Sequence, residues 1–352
     1  MGDRMLVYEA GLMAFGISLI LTPVMAWVAR KIGFLAYPHS RGVHQKPIPY
    51  LGGVAMAAAF FLALYLAGGI GGKAMGVVGL GGLGMLLLGL WDDARPLRPL
   101  WKFLGQVAIA AGAVAGGLRV EVITHPLGEG YLNLGILSWP FSILWIVALV
   151  NVLNLSDGLD GLASGITAIS SLTLLLAAAF TGAPAAILLM AAALLGASAG
   201  FLPWNFHPAR IFMGDAGSLF LGYMLAAISI QGALKAPAAL SILVPILVLG
   251  VPIFDTAWAI LRRWRAGQPI GQADNGHLHH RLLGFGLSQR QTVLLLYCIS
   301  AWLGLGSLAL VYLPHVLALL ILALVAFSIY VVVSLVRNPG AVASEEVGTW
   351  ES

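Results

Sequence analysis

The feature that most constrains this chain is the recurrence of long apolar runs separated by short polar connections. A helix crossing a bilayer needs about 20 mostly apolar residues. The sequence offers eleven such runs, at roughly 8–29, 51–70, 74–91, 102–117, 138–155, 162–181, 184–202, 216–233, 238–261, 291–311 and 315–336. Hydrophobic residues fill 60% of the 352 positions and charged residues 9%, against roughly 25% charged in a soluble domain. A soluble fold of that composition has too little polar surface to turn toward water. The first run is too long for the apolar core of a signal peptide and lacks a convincing cleavage site, so it is expected to stay as a span. The expectation is an all-α polytopic membrane protein with about eleven transmembrane helices. It forms a single integral membrane domain over 1–352, with a disordered tail at 337–352.

Charge places the ends. With eleven spans, the odd-to-even connections and the tail hold 14 Lys and Arg, while the opposite side holds only 4: Arg4, Lys73, Arg119 and Lys235. Basic residues concentrate on the cytoplasmic side, so the N-terminus is expected outside and the C-terminus inside. The excess of Lys and Arg over Asp and Glu, +4 in all, thus follows from topology and needs no nucleic acid to explain it. The one long outer connection, 118–137, alternates from Arg119 to Thr124, turns at Pro126-Leu127-Gly128-Glu129-Gly130, and alternates again from Tyr131 to Leu134. That pattern predicts a small external β-hairpin. The single cysteine, Cys298, rules out an intramolecular disulfide and a cysteine metal cluster; its apolar setting predicts a small buried side chain.

The acids are distributed unevenly. Seven of eight aspartates (Asp92, Asp93, Asp157, Asp160, Asp215, Asp255 and Asp274) fall at or near the inner face, as do six of eight histidines. In Asn151-Val152-Leu153-Asn154-Leu155-Ser156-Asp157-Gly158-Leu159-Asp160-Gly161 two carboxylates three apart share a face on any helical turn. At a membrane boundary they are costly unless something cationic meets them; the alternative is an Asx-rich turn. Asp92-Asp93 is a repelling pair at an unfavourable helix C-terminus, which a metal or a ring of Lys and Arg would relieve. A solvated turn with Arg95 and Arg98 as counter-ions would account for it equally well. In Phe212-Met213-Gly214-Asp215-Ala216-Gly217 an aspartate between glycines opens a helix, either as a simple cap or as an anion-binding start. In Asp274-Asn275-Gly276-His277-Leu278-His279-His280-Arg281, Asp274 or Asn275 can cap a short helix presenting His277 and His280. Phosphate binding or proton handling suits these histidines better than zinc, for no cysteine and no His-Glu-x-x-His pattern accompanies them.

These four stretches, in this order at span boundaries, resemble the polyprenyl-phosphate N-acetylhexosamine-1-phosphate transferases. That family includes the initiating enzymes of wall teichoic acid and lipopolysaccharide O-antigen synthesis and the muramoyl-pentapeptide transferase of peptidoglycan synthesis. The resemblance runs from Arg41-Gly42-Val43-His44-Gln45-Lys46-Pro47 to Gln291. Leu278 interrupts the histidines, as in the N-acetylglucosamine branch. The muramoyl branch carries three in a row and remains the alternative. The resemblance implies a transferase domain in the cell membrane with its active site at the cytoplasmic face. It implies a UDP-N-acetylhexosamine donor, undecaprenyl phosphate as acceptor and Mg2+, with Mn2+ as a substitute, and it leaves a homodimer open. By the same resemblance Asp215 is the metal ligand, with Asp92 and Asp93 beside it as catalytic residues. Asn151, Asp157 and Asp160 hold the donor or the metal's outer ligands, and Phe212 stacks on uracil. Lys46, Lys102 and His277 contact phosphates, with His279 and His280 also in the substrate site.

A secondary transporter is the rival from another class. It would bury its acids near the midplane between repeated halves, whereas here five lie at span ends and no repeat is present; Asp255, after Gly250 and Pro252, is the one transporter-like feature. The topology makes a direct prediction. In a Cys298→Ser background, Ser288→Cys should react with a membrane-impermeant thiol reagent only from the cytoplasm, and Glu129→Cys only from outside. Labelling of both from one side would overturn the eleven-span count.

Overall fold

The structure is a computed structural model that describes residues 2–37, 47–69, 71–124, 131–233, 246–265, 267, 278–313 and 323. Helices stand at ten of the eleven apolar runs, and the last run, 315–336, lies outside the described residues but for position 323. In chain order they are α1 (Gly2–Ile32), α2 (Gly52–Leu66), α3 (Gly72–Ala94), α4 (Pro99–Ala115), α5 (Ser138–Ser156), α6 (Leu162–Phe180), α7 (Ala185–Asn205) and α8 (Gly214–Ala233). Then come α9 (Gly250–Arg265), the short α10 (Leu278–Gly284) and α11 (Gln289–Tyr312). Among the described residues six stretches are long and apolar enough to cross a membrane: Met5–Ile32, Ala74–Ala94, Gly135–Ser156, Leu162–Phe180, Ala185–Asn205 and Gln289–Ala309. Two shorter apolar helices, Gly52–Leu66 and Pro99–Ala115, accompany them. The chain is therefore a polytopic, largely helical membrane protein. The tail at 337–352 lies outside the described residues.

Helix α8 is the axis of the bundle. It is apolar on every side, and a helix of that kind is buried on every side. Leu219, Phe220, Tyr223, Met224 and Leu225 are fully enclosed by protein. Gly89 of α3 meets the start of α8 and Gly81 meets Tyr223, so α3 runs antiparallel to it. Helix α5 does the same, with Asn154 bonded to Ser218 and Trp145 to Ser229. The antiparallel neighbours thus bring the C-terminal ends of α3 and α5 to the N-terminal end of α8.

Helices α1 and α7 run parallel, from Gly11 against Gly196 through Phe15 against Gly200 to the bond from Trp204 Nε1 to Leu19 O, 3.0 Å. Gly196 and Gly200 are four apart, the small-residue spacing that lets membrane helices approach backbone to backbone. A Cβ at either position would land on a main-chain atom of α1. Ser18 Oγ donates to Ala197 O at 2.7 Å across the same seam.

The expected hairpin is present. The strand Val122–Thr124 pairs antiparallel with Tyr131–Asn133, in the register Val122 to Asn133, Ile123 to Leu132 and Thr124 to Tyr131. A second antiparallel pair, Leu35–Ala36 with Ile48–Pro49, was not expected. Cys298 corrects the sequence reading. It is exposed, because Thr292, Leu296, Ile299 and Ser300 form the buried face of α11 and position 298 falls on the other side. Helix α10 starts at Leu278, whose N–H donates to Asp255 Oδ1 at 2.8 Å. A carboxylate from α9 therefore meets the start of that helix, while Asp274 and Asn275 lie outside the described residues.

The α1–α7 seam yields a stability prediction. Gly200→Val forces a branched side chain into Phe15 O, and overpacking of this kind costs about 1–3 kcal/mol. The detergent-solubilised variant should unfold several degrees below wild type in a thermal scan. An unchanged midpoint would refute the close packing of these two helices.

Candidate active site

Helix α8 begins with amides that have no partner within the helix, as every helix does. Asp93, at the end of α3, supplies one. Its Oδ1 accepts from Asp215 N at 2.8 Å and its Oδ2 from Ala216 N at 3.0 Å. Gly214 makes this approach feasible: its φ is +66°, and a Cβ there would collide with the Asp93 carboxylate. The start of α8 is also tied to the start of α2. Gly52 N donates to Phe212 O and Gly53 N to Met213 O, both at 3.0 Å, while Phe212 N donates to Pro49 O at 2.9 Å.

Asp215, held in this way, meets Lys102 from the first turns of α4. Lys102 Nζ lies 2.7 Å from Asp215 Oδ2 and 2.9 Å from Asp92 Oδ2, and it donates to Asn154 Oδ1 at 3.1 Å. Asn154 Nδ2 in turn donates to Asp215 Oδ1. Asp92 Oδ1 accepts from Leu97 N at 2.6 Å, which closes the turn between α3 and α4. One ammonium thus bridges two carboxylates, and a third carboxylate lies one peptide away.

Asp157 follows α5 at the edge of this group. Burial, reinforced by the charges of Asp215, Asp93 and Asp160, raises its pKa well above the ordinary carboxylate value. Its N–H donates to Asn154 O at 3.3 Å, while its carboxyl makes no hydrogen bond among the described residues. Tyr50 borders the same group: burial first, then Asp93, Asp215 and Asp157, push its hydroxyl up to about 12. Its ring stands 6.1 Å from that of Phe212, centroid to centroid, and 6.2 Å from Phe34.

The structure therefore gathers Asp92, Asp93, Lys102, Asp157, Asp215 and Phe212 at one end of the bundle. Asn151 points elsewhere, with Nδ2 donating to Gln106 Oε1 at 2.6 Å and to Val147 O at 2.8 Å. Asp160 turns from Asp157 because the segment between α5 and α6 is a chain of turns. Its Oδ2 lies 2.8 Å from His207 Nδ1 and accepts from Ala209 N at 3.1 Å. His279 and His280 stand on α10, and Lys46 and His277 lie outside the described residues. Sequence reasoning missed Asn154, although it stands in the same quoted stretch one turn beyond Asn151. It also missed Tyr50, for which no pattern in the sequence gives a signal.

The donor set suits a hard cation. Every available ligand atom is oxygen, and the ammonium of Lys102 pairs with only two of the four carboxylates gathered there. Among the described residues no three acidic or imidazole side chains form a group that could hold a metal ion. Magnesium seldom needs such a cage, since one or two carboxylates plus substrate phosphates suffice. Asp215, with Asp157 beside it, fits that description.

Fold and site together define a class: a polytopic membrane protein with a carboxylate-rich, lysine-bridged centre at the ends of its helices. Residues 75–233 match the family described as glycosyl transferase family 4. A probable undecaprenyl-phosphate N-acetylglucosaminyl 1-phosphate transferase of Bacillus subtilis is 39% identical over 292 residues, 83% of this chain and 81% of the relative. The decaprenyl-phosphate N-acetylglucosaminephosphotransferase of Mycobacterium tuberculosis is 36% identical over 325 residues, covering 84% and 79%. A phospho-N-acetylmuramoyl-pentapeptide-transferase of Clostridioides difficile is 32% identical over 247 residues, 65% of this chain and 76% of that protein. The chain belongs to the polyprenyl-phosphate N-acetylhexosamine-1-phosphate transferase family.

The Asp157 environment predicts a pH-dependent stability. A carboxyl whose folded pKa is raised supports the fold fully only below the ordinary carboxylate range, and that contribution is lost as pH rises through the raised value. Asp157→Asn is uncharged throughout. In metal-free and substrate-free protein it should raise the thermal midpoint at pH 8, and the gap should close toward pH 4. A lowered midpoint at pH 8 would contradict the burial of this charge.

Proposed function

We propose that this protein transfers N-acetylglucosamine 1-phosphate from UDP-N-acetylglucosamine to undecaprenyl phosphate, releasing UMP. The lipid product, undecaprenyl-diphospho-N-acetylglucosamine, begins a cell-envelope glycopolymer. The observation that carries this reading is the convergence of Asp92, Asp93, Asp157 and Asp215 with Lys102 at one end of the bundle. Relatives named for this reaction, similar over more than four fifths of the chain, support it. Over eleven spans the asymmetry of Lys and Arg, 14 against 4, supports a site at the cytoplasmic face of the cell membrane.

The acceptor's second pKa is about 6, so near neutrality its phosphate is largely dianionic and is already a nucleophile. Its oxygen attacks the sugar-linked phosphorus. A new phosphoanhydride forms as the bond to UMP breaks, and the electron pair leaves with UMP. What the site must supply is alignment of two polyanions and compensation of their charge. Lys102 holds Asp92 and Asp215 at fixed separation and offers its ammonium to an incoming phosphate. Asp93 anchors the α8 terminus, which leaves Asp92 as the carboxylate of that pair nearest the reacting groups. Asp215 would hold magnesium, which would supply positive charge to the donor diphosphate. Phe212, with Tyr50 beside it, forms the aromatic wall for uracil. Lys46, His277, His279 and His280 are the further phosphate contacts that the family resemblance implies. Asn151 supports α5 through Gln106, and Asp160 braces the loop that carries Asp157.

Transport fits the placement less well. The acids stand at helix ends, and Asp255 accepts a bond from Leu278 N. The purified protein should release UMP from UDP-N-acetylglucosamine only when given both undecaprenyl phosphate and magnesium. Asp215→Asn should lower turnover by about a hundredfold or more, since an amide oxygen lacks the charge that offsets magnesium's dehydration. Turnover with UDP-N-acetylgalactosamine alone would change the donor, and turnover with the muramoyl-pentapeptide donor alone would move the protein to the other branch. Exchange of label between UMP and UDP-sugar without lipid would replace direct attack by a covalent aspartyl-phosphate.

A further inference from the structure

The loop between α5 and α6 carries Asp157 and Asp160, yet its exit is held by helices remote from the acidic centre. Gly161 is left-handed, with φ +83°, and its N–H and its carbonyl are both held. Its N–H donates to Asn205 Oδ1 on α7 at 3.1 Å. Its carbonyl accepts from Gly165 N at 2.9 Å, from Ser164 Oγ at 3.0 Å and from the hydroxyl of Tyr297 on α11. The first two are local bonds that open α6. The third comes from 136 residues away.

Two glycines make room for that tyrosine. A Cβ on Gly165 would collide with the Tyr297 ring and hydroxyl, and one on Gly161 would lie 3.3 Å from the hydroxyl. Helix α11 reaches the same region a second time, where Arg290 Nε donates to His207 O at 2.9 Å. The His207 ring in turn meets Asp160. One helix therefore touches the loop at its exit and, through His207, at Asp160. Helix α11 also follows directly on α10, which bears His279 and His280.

We infer that Tyr297 is a positioning residue: its hydroxyl fixes the Gly161 peptide so that the Asp157–Gly161 loop presents Asp157 to the donor sugar nucleotide. Tyr297 touches none of Asp92, Asp93, Lys102 or Asp215, so its effect passes through the Asp157 loop, whose assigned ligand is the donor. The inference rests on the reaction proposed above for the role of the loop. The clamp itself can be read without turnover.

Tyr297→Phe keeps the ring in the space left by Gly165 and removes only the hydroxyl. A hydrogen bond is worth about 0.5–1.5 kcal/mol net, so the variant should weaken UMP and UDP-N-acetylglucosamine binding, measured by calorimetry, about 2- to 10-fold. In the assay the donor KM should rise by the same factor, with the undecaprenyl phosphate KM and kcat changing less than about 2-fold. Hydrogen–deuterium exchange in peptides spanning 157–164 should quicken relative to wild type, while the midpoint of thermal unfolding stays near wild type. Gly165→Ala, which displaces the ring from the other side, should reproduce the faster exchange. Unchanged exchange in Tyr297→Phe would overturn the clamp. Faster exchange with unchanged donor affinity, or with donor and lipid KM rising together as the midpoint falls, would overturn the positioning role. Calorimetric donor binding without any turnover by wild type would count against the proposed reaction and leave the clamp to be judged by exchange and affinity.

Discussion

The bond pair from Asp93 to the first amides of α8 is the constraint on which the polar centre depends. A helix N-terminus attracts negative charge, but a carboxylate within the helix cannot reach every free N–H. Here the acceptor arrives from α3. The position of Asp215 is consequently set by the contact between α3 and α8 as well as by its own side-chain rotamer. Lys102 from α4 and Asn154 from α5 then close on it. Four helices meet at Asp215, and each brings its contribution at a helix end, where backbone groups are free to take part.

That arrangement explains how so apolar a chain tolerates so many acids. A carboxylate taken out of water is expensive unless it is paired. Asp92, Asp93 and Asp215 meet this requirement through Lys102, Asn154 and main-chain amides. Asp157 does so least well, and its perturbed ionisation reflects that. Imbalance of charge concentrates at the position where a cation or a charged substrate would relieve it. Perturbed groups gathered in this way mark a functional site more often than a structural one.

Much of this was legible in the sequence. Apolar length located the helices, the alternation after Arg119 located the hairpin, and the one-sided placement of aspartates anticipated the gathering of Asp92, Asp93, Asp157 and Asp215 at one end of the bundle. What escaped was decided by packing between elements. Asn151 and Asn154 both stand on α5, and only the neighbours reveal that one faces Gln106 on α4 while the other faces α8. The prominence of Asp157 and Asp160 suggested a shared face. The turns between α5 and α6 separate them, sending one to the acidic centre and the other to His207. Tyr50 joins the site through main-chain bonds between 49–53 and 212–213, and such pairing leaves no periodic trace in the chain. Cys298 was misplaced because an apolar neighbourhood does not distinguish a protein-facing side of a membrane helix from a lipid-facing one.

The backbone contact between the starts of α2 and α8 has an evolutionary consequence. Where Gly53 lies against Gly217, the two helices meet through main chain alone, and any Cβ at Gly53 would fall on the Gly217 peptide. Exchange of a side chain that lines the substrate can retune preference by degrees. Adding one methyl group at this seam would shift the whole α8 terminus, and with it Asp215 and Phe212 together. Divergence toward new donors is therefore channelled into the loops around the site, while the junction beneath them is held to hydrogen atoms.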